Sequence, residues 1–301
     1  MQTIEELNQK FGIEKLSYFD VGKGGLTRLI ITAPGGEAHV YLLGAHVIHF
    51  VPAGQKPVFF VGSKPFFEVG KAIRGGIPVV FPWFGPRDGD KSAMHGVVRT
   101  RPWSVQEISR GGDNVKAIFA IASSVETRAI WKFDFALRFI VTVGKELTMD
   151  LEAKNTASVD HRFEEMLHTY LAVGDVRRCT VSGLTGSHFT DKNNLGPEKR
   201  LDGDNPLAFK GPTDRVYLNT TAGCTLNDPT LGRKIVVEKT NSHSTVVWNP
   251  WSDRIGSFPD MTTDDWPKFA CIESCNVWDN AITLKPGGTH SMRVHLRTEA
   301  L

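Results

Sequence analysis

FDFALRFIVTVGKELTMDLEAKN, residues 133–155, reads as strand, turn, strand. In its first half Phe133, Phe135, Leu137, Phe139, Val141 and Val143 occupy every second position. In its second half Leu147, Met149 and Leu151 alternate with Thr148, Asp150 and Glu152. A period of two is the signature of a strand with one buried face. Gly144-Lys145 between the halves suits a tight hairpin with glycine at the first turn position. The same alternation recurs in THSMRVHLRTE (289–299), with Met292, Val294 and Leu296 inward. Further strand-like runs are LTRLIITAP (26–34), AHVYLLGAHVIHFVP (38–52), PVFFVG (57–62), VKAIFAIASS (115–124), RKIVVEKT (233–240) and STVVWNP (244–250).

Helical patterning is confined to residues 3–11, with a turn or two within 190–200 or 259–266. Gly, Pro, Asn and Asp cluster between the runs. This spacing predicts an all-β fold, a large antiparallel β-sandwich with few short helices. No Pro/Ser-rich linker, repeat or low-complexity tract divides the chain, so residues 1–301 are read as one domain.

Composition narrows the function classes. The chain has 301 residues, 41% hydrophobic and 23% charged, with a net charge of +2. No block of five or six basic residues occurs, which argues against nucleic acid and anionic membranes as partners. No run approaches the roughly 18 apolar residues of a membrane span. The opening MQTIEELNQKFG lacks the apolar core of a signal peptide, so a cytoplasmic location is expected. Cys179, Cys224, Cys271 and Cys275 form no CxxC pair and read as free thiols.

Two strand-like segments carry chemistry. In HRFEEMLHTYLAVG (161–174), Phe163, Leu167 and Leu171 fall on one face, and Glu164, Met166, His168 and Tyr170 on the other. That mixed face suits a groove for a polar ligand; the alternative is a core histidine satisfied by a neighbour. In KFACIESCNVW (268–278), Glu273 stands in an otherwise uncharged strand and shares a face with Cys271 and Cys275. Glutamate is almost never fully buried unpaired, so the alternative is a structural ion pair, for instance with an arginine. Together His168 and Glu273 form a candidate acid–base pair. Opening and closing a sugar hemiacetal needs such a pair: one group takes the anomeric proton while the other protonates the ring oxygen.

RGG at 74–76 places a charge and two glycines directly before the apolar IPVVFPWF. A buried arginine is costly unless it meets an anion, and paired glycines permit close backbone approach. Arg74 and Arg99 could clamp a phosphate, whose geometry the guanidinium matches. Trp83, Phe84, Trp248 and Trp251 offer flat faces to a sugar ring, or simply pack the core. P-loop, dinucleotide, HExxH and GxSxG motifs are all missing from the sequence.

Seven landmarks in order resemble the aldose 1-epimerase (mutarotase) superfamily, and within it the glucose-6-phosphate 1-epimerase branch. They are IRGGIPVVFPWFGP, HGVVRTRPW, LHTYLAVGDV, GLTGSHFTDK, TDRVY, VVWNPW and CIES. The resemblance implies a galactose mutarotase-like β-supersandwich that interconverts α- and β-anomers of a hexose 6-phosphate, without cofactor or metal. It implies His168 as the acid at the ring oxygen and Glu273 as the base at the anomeric hydroxyl. Arg74 and Arg99 match arginines associated with the phosphate, and His95 and Asp214 match sugar-site positions. The expected partner is a small sugar phosphate, bound by a monomer. Two departures stand out. Met94 replaces the glutamine common before HG, so that one sugar or phosphate hydrogen bond is either missing or supplied by Lys91 or Ser92, and CNVWDNAITL follows CIES where relatives carry small residues and proline. A mutarotase for unphosphorylated aldoses, or a non-catalytic carbohydrate-binding sandwich, are the competing readings.

Overall fold

The computed structural model describes residues 2–87, 94–193 and 206–301, with 199–201 as backbone. Every ladder in it is antiparallel. The hairpin of residues 133–155 forms from the strands Phe135–Val143 and Leu147–Asn155, with Phe139 opposite Leu151 and Val141 opposite Met149. Its inward residues Leu137, Phe139, Val141, Met149 and Leu151 are buried, as the alternation requires. The turn differs from the expectation. Val143 pairs with Leu147, so three residues connect the strands, and the Gly144 N–H donates to the Glu146 carbonyl at 3.0 Å.

This hairpin sits in a nine-stranded sheet together with Asn114–Ala122, Arg233–Thr240 and the long strand Thr289–Ala300. Facing it is an eight-stranded sheet built around Phe269–Asn276, Ser244–Asn249 and Thr213–Tyr217. Leu137, Phe139, Leu151 and Val294 from the first sheet join Leu167, Leu171, Val247 and Ile272 from the second in one core cluster. That is a sandwich, its interior filled by the inner residues of both sheets. A four-stranded N-terminal sheet, Ser17–Val21, Thr27–Ala33, Gly36–Tyr41 and His46–Pro52, adds Leu29, Ile31, Val40 and Phe50 to the same core.

Helix is sparse. Ile4–Phe11 begins with a capping box: Thr3 accepts from the Glu6 N–H, and Glu6 accepts from the Thr3 N–H. The short helices Val125–Ile130 and Trp251–Ile255 were not expected from periodicity; at six and five residues they are too short to display one. Residues 259–265 form turns, followed by a 3-10 turn at Trp266–Lys268. In the other region expected to be helical, 191–193 close a strand and turn, and 194–198 lie outside the described residues. PVFFVG forms no ladder; Phe59 and Val61 make isolated bridges to Leu171 and Gly75. All four cysteines are free and buried. Among the described residues no helix is long and apolar enough to cross a membrane.

Candidate active site

The site is built on the outer face of the eight-stranded sheet. Antiparallel registers place Asp214 opposite Trp248, Trp248 opposite Cys271, and Val246 opposite Glu273. Since side chains of paired residues share a face, Asp214, Trp248, Val246, Cys271 and Glu273 project together, away from the core that holds Ala270 and Ile272. The segment 161–174 completes this face. It is not one continuous strand but three short pieces, His161–Phe163, Glu165–Leu167 and Tyr170–Ala172. The face assignment survives: Phe163, Leu167 and Leu171 enter the main core, while Met166 and Tyr170 belong to smaller clusters on the far side. His168 lies in the gap between two pieces, its N–H donating to the Pro78 carbonyl at 3.0 Å.

A cleft of about 300 Å³ opens here, and all six residues singled out from the sequence line it: Arg74, His95, Arg99, His168, Asp214 and Glu273. His168 Nδ1 stands 3.3 Å from Glu273 Oε1, off the direction of a formed hydrogen bond. Glu273 therefore faces the histidine, and no arginine pairs with it among the described residues. The imidazole stacks on Tyr170, ring centroids 4.7 Å apart, and is flanked edge-on by Trp248 and His95. Glu273 Oε2 is buried without a hydrogen-bond partner among the described residues.

Burial favours the neutral form of each partner. It pushes His168 well below the usual histidine range, with the charges of Arg74 and Arg99 adding to the effect. It pushes Glu273 well above the usual carboxylate range, reinforced by Asp214. A neutral histidine with a protonated glutamate holds one proton, and so does an imidazolium with a carboxylate. These are two tautomers of one coupled pair. In the ligand-free protein the His168 ring should be neutral at pH 7, with the proton on Glu273. Nitrogen-15 NMR of the histidines reads this directly; an imidazolium signal for His168 at pH 7 would contradict it.

His95 has a defined tautomer. Its Nδ1 accepts from the Gly85 N–H at 3.2 Å, and burial holds the ring well below the usual histidine range. The ring is thus neutral, with Nε2–H left as a donor. Asp214 is raised by burial, and Lys192 Nζ lies 3.8 Å from its Oδ2.

The two arginines differ. Arg74 donates through Nε to Asp260 at 3.0 Å and through Nη1 to the Tyr170 hydroxyl at 2.9 Å, with Phe258 against its face. Arg99 donates through Nη2 to the Met94 carbonyl at 2.9 Å. Its Nε has no partner, and no carboxylate pairs with it among the described residues. Burial lowers its pKa to about 10.

Gly75 and Gly76 serve the chain itself: the close approach they permit is to neighbouring backbone. Gly75 has φ +104°, and a Cβ there would meet the Phe60 carbonyl oxygen at 2.4 Å. Gly76 has φ +59°, and its Cβ would meet the Val47 oxygen at 2.4 Å. The pair threads between two neighbouring segments and so delivers Arg74 to the cleft.

Trp248 and Phe84 line the cleft as aromatic walls; Trp83 and Trp251 pack against the core instead. Glu164 ties one wall in place, accepting from the N–H groups of Phe84 and Trp278 at 2.7 and 2.6 Å. The departure after CIES thus stands behind Phe84 rather than in the cleft. Met94 lines the cleft, whereas Lys91 and Ser92 lie outside the described residues. Residues not singled out beforehand are Lys192, Phe258 and Asp260. Lys192 ends the quoted GLTGSHFTDK; the other two lie in GSFPD (256–260), an irregular stretch after the short helix Trp251–Ile255 that has no periodic signal. His168, Cys271 and Glu273 each bring a metal-ligating atom within 4.8 Å of one another.

The architecture defines the class, a galactose mutarotase-like β-sandwich. A solved protein of that description from Clostridium acetobutylicum superposes with a TM-score of 0.76 at 18% identity, covering 95% of this chain and 98% of its own. YeaD of Salmonella typhimurium, described as a "putative mutarotase", superposes with a TM-score of 0.89 at 29% identity, covering 97% and 96%. The sequence profile of the aldose 1-epimerase family matches residues 27–297. An Escherichia coli K12 protein named "Putative glucose-6-phosphate 1-epimerase" is 33% identical over 300 residues, 99% of this chain and 98% of its own. The chain belongs to the aldose 1-epimerase family, and is an isomerase of the mutarotase type.

Proposed function

We propose that the protein interconverts the α- and β-anomers of a hexose 6-phosphate, glucose 6-phosphate in particular, by acid–base chemistry that needs no cofactor. The observation that carries the phosphate is Arg99, a half-buried cation in the cleft whose Nε is buried without a partner and which no carboxylate pairs with among the described residues. Such a charge is costly unless an anion meets it. Arg74 keeps its Nη2 without a hydrogen bond among the described residues and adds a second cation. The names of the relatives favour the same substrate.

In this reading Glu273 takes the proton from the anomeric hydroxyl while His168 protonates the ring oxygen. The C1–O5 bond breaks, the aldehyde turns about C1–C2, and the ring recloses on the other face with the transfers reversed. His95 Nε2–H and Asp214 hold sugar hydroxyls, and Trp248 and Phe84 bracket the ring. The phosphate also prepares the pair. By offsetting Arg74 and Arg99 it removes two charges that hold His168 neutral. That favours movement of the shared proton toward His168, where the first step requires it.

Crystals grown with 1,5-anhydroglucitol 6-phosphate, which lacks the anomeric hydroxyl and cannot react, test the placement. The phosphate should contact Arg99 and Arg74, with the ring oxygen near His168. A phosphate bound away from both arginines would contradict the reading.

A further inference from the structure

The N-terminal sheet carries a second cluster, away from the cleft. Glu37 and His39 are two residues apart on Gly36–Tyr41, and so lie on one face. His49, on the adjacent strand His46–Pro52, is paired directly with His39. Ala38 and Val40, between and beside them, point into the core, so the three polar residues stand on the opposite, partly exposed face. We propose that Glu37, His39 and His49 form a binding site for a late first-row divalent metal ion of the Zn²⁺ class.

Four observations support it. One ligand atom from each residue lies within 4.8 Å of the others. The imidazoles stack with centroids 4.7 Å apart and 30° between planes, and His39 Nε2 is already 2.9 Å from Glu37 Oε1. Two ligands at about 2.0–2.1 Å from a tetrahedral zinc stand about 3.3 Å apart, so closure needs only side-chain rotations. Those rotations are open to side chains that are 18% exposed at His39 and 43% at Glu37.

The ligand set suits the ion. Two imidazoles and a carboxylate favour Zn²⁺, Ni²⁺, Co²⁺ or Cu²⁺ over Mg²⁺ and Ca²⁺. Three protein ligands leave a coordination position open to solvent. Arg28, on the adjacent strand Thr27–Ala33, is neutralised by Asp20, which accepts from its Nε and Nη2 at 2.9 and 2.6 Å. Bound metal would clamp the two strands to each other and stabilise the folded state by mass action.

The test is calorimetric titration of Zn²⁺ into the full chain free of any polyhistidine tag, with thermal unfolding read alongside. One ion should bind and raise Tm, while Mg²⁺ does neither. Loss of a mere outer-shell partner costs about 10–100-fold in affinity, so loss of a ligand in His39→Ala or His49→Ala should cost at least that. Glu37→Gln should weaken binding as well. All three positions are partly exposed, and the variants' own unfolding curves establish that they fold. Co²⁺ separates this site from the cluster containing Cys271: the proposed site gives d–d bands without a thiolate charge-transfer band. Failure to bind Zn²⁺, binding that survives both histidine substitutions, or a thiolate band in the Co²⁺ protein would each overturn the proposal.

Discussion

Glu273→Gln is expected to lower the rate of anomer exchange by about two to four orders of magnitude, the usual contribution of a positioned acid or base. The substitution keeps the shape of a side chain that is 1% exposed and removes only the ionisable group. The fold should survive it, because Glu273 has no ion-pair partner other than His168 among the described residues. With the proton on Glu273 in the ligand-free protein, glutamine replaces one neutral group by another of the same shape, so Tm should change little. His168→Asn should cost a similar factor. Since the two act as one relay, the double variant should be little slower than either single one. Near-normal exchange in a folded single variant would mean that the proton passes through another group.

Arg99→Ala should reduce kcat/KM for glucose 6-phosphate by about ten- to a hundredfold, the equivalent of one charge-assisted hydrogen bond of about 1.5–3 kcal/mol. Free glucose, with no phosphate to hold, should change much less. Arg99 is the cleaner site for this test. Arg74→Ala also leaves Asp260, 5% exposed, without its cation, and its effect mixes binding with stability. Arg74→Ala combined with Asp260→Asn removes that confusion. Lysine at either position should rescue partly, keeping charge but losing the planar fork. Equal losses on both sugars would make the arginines structural and favour an unphosphorylated aldose.

The legible part of the molecule was whatever repeats every two residues. Residues 133–155 announced a strand pair because alternation is imposed by burial of one face, and the same rule put Glu273, Cys271 and Cys275 on a shared face. His168 was readable as a functional candidate for a related reason, a polar residue among apolar strand neighbours. Its true setting was not readable. His168 lies in a break between two strand pieces, where its backbone N–H donates to the Pro78 carbonyl of a distant segment. Likewise, the RGG segment signalled close approach correctly but not to what: Gly75 and Gly76 press against Phe60 and Val47, a contact between chain segments that local pattern cannot encode. Asp260 as the partner of Arg74 is separated from it by 186 positions. The three-residue turn at Gly144 follows from pairing register, which a short motif leaves open.

The most direct test of the account is magnetisation-exchange NMR on the anomeric protons of glucose 6-phosphate, with free glucose measured beside it at equal concentration. The account predicts exchange on glucose 6-phosphate far above the enzyme-free rate, at least ten times faster than on glucose, and abolished by Glu273→Gln. Exchange on glucose 6-phosphate no faster than without the protein would contradict it.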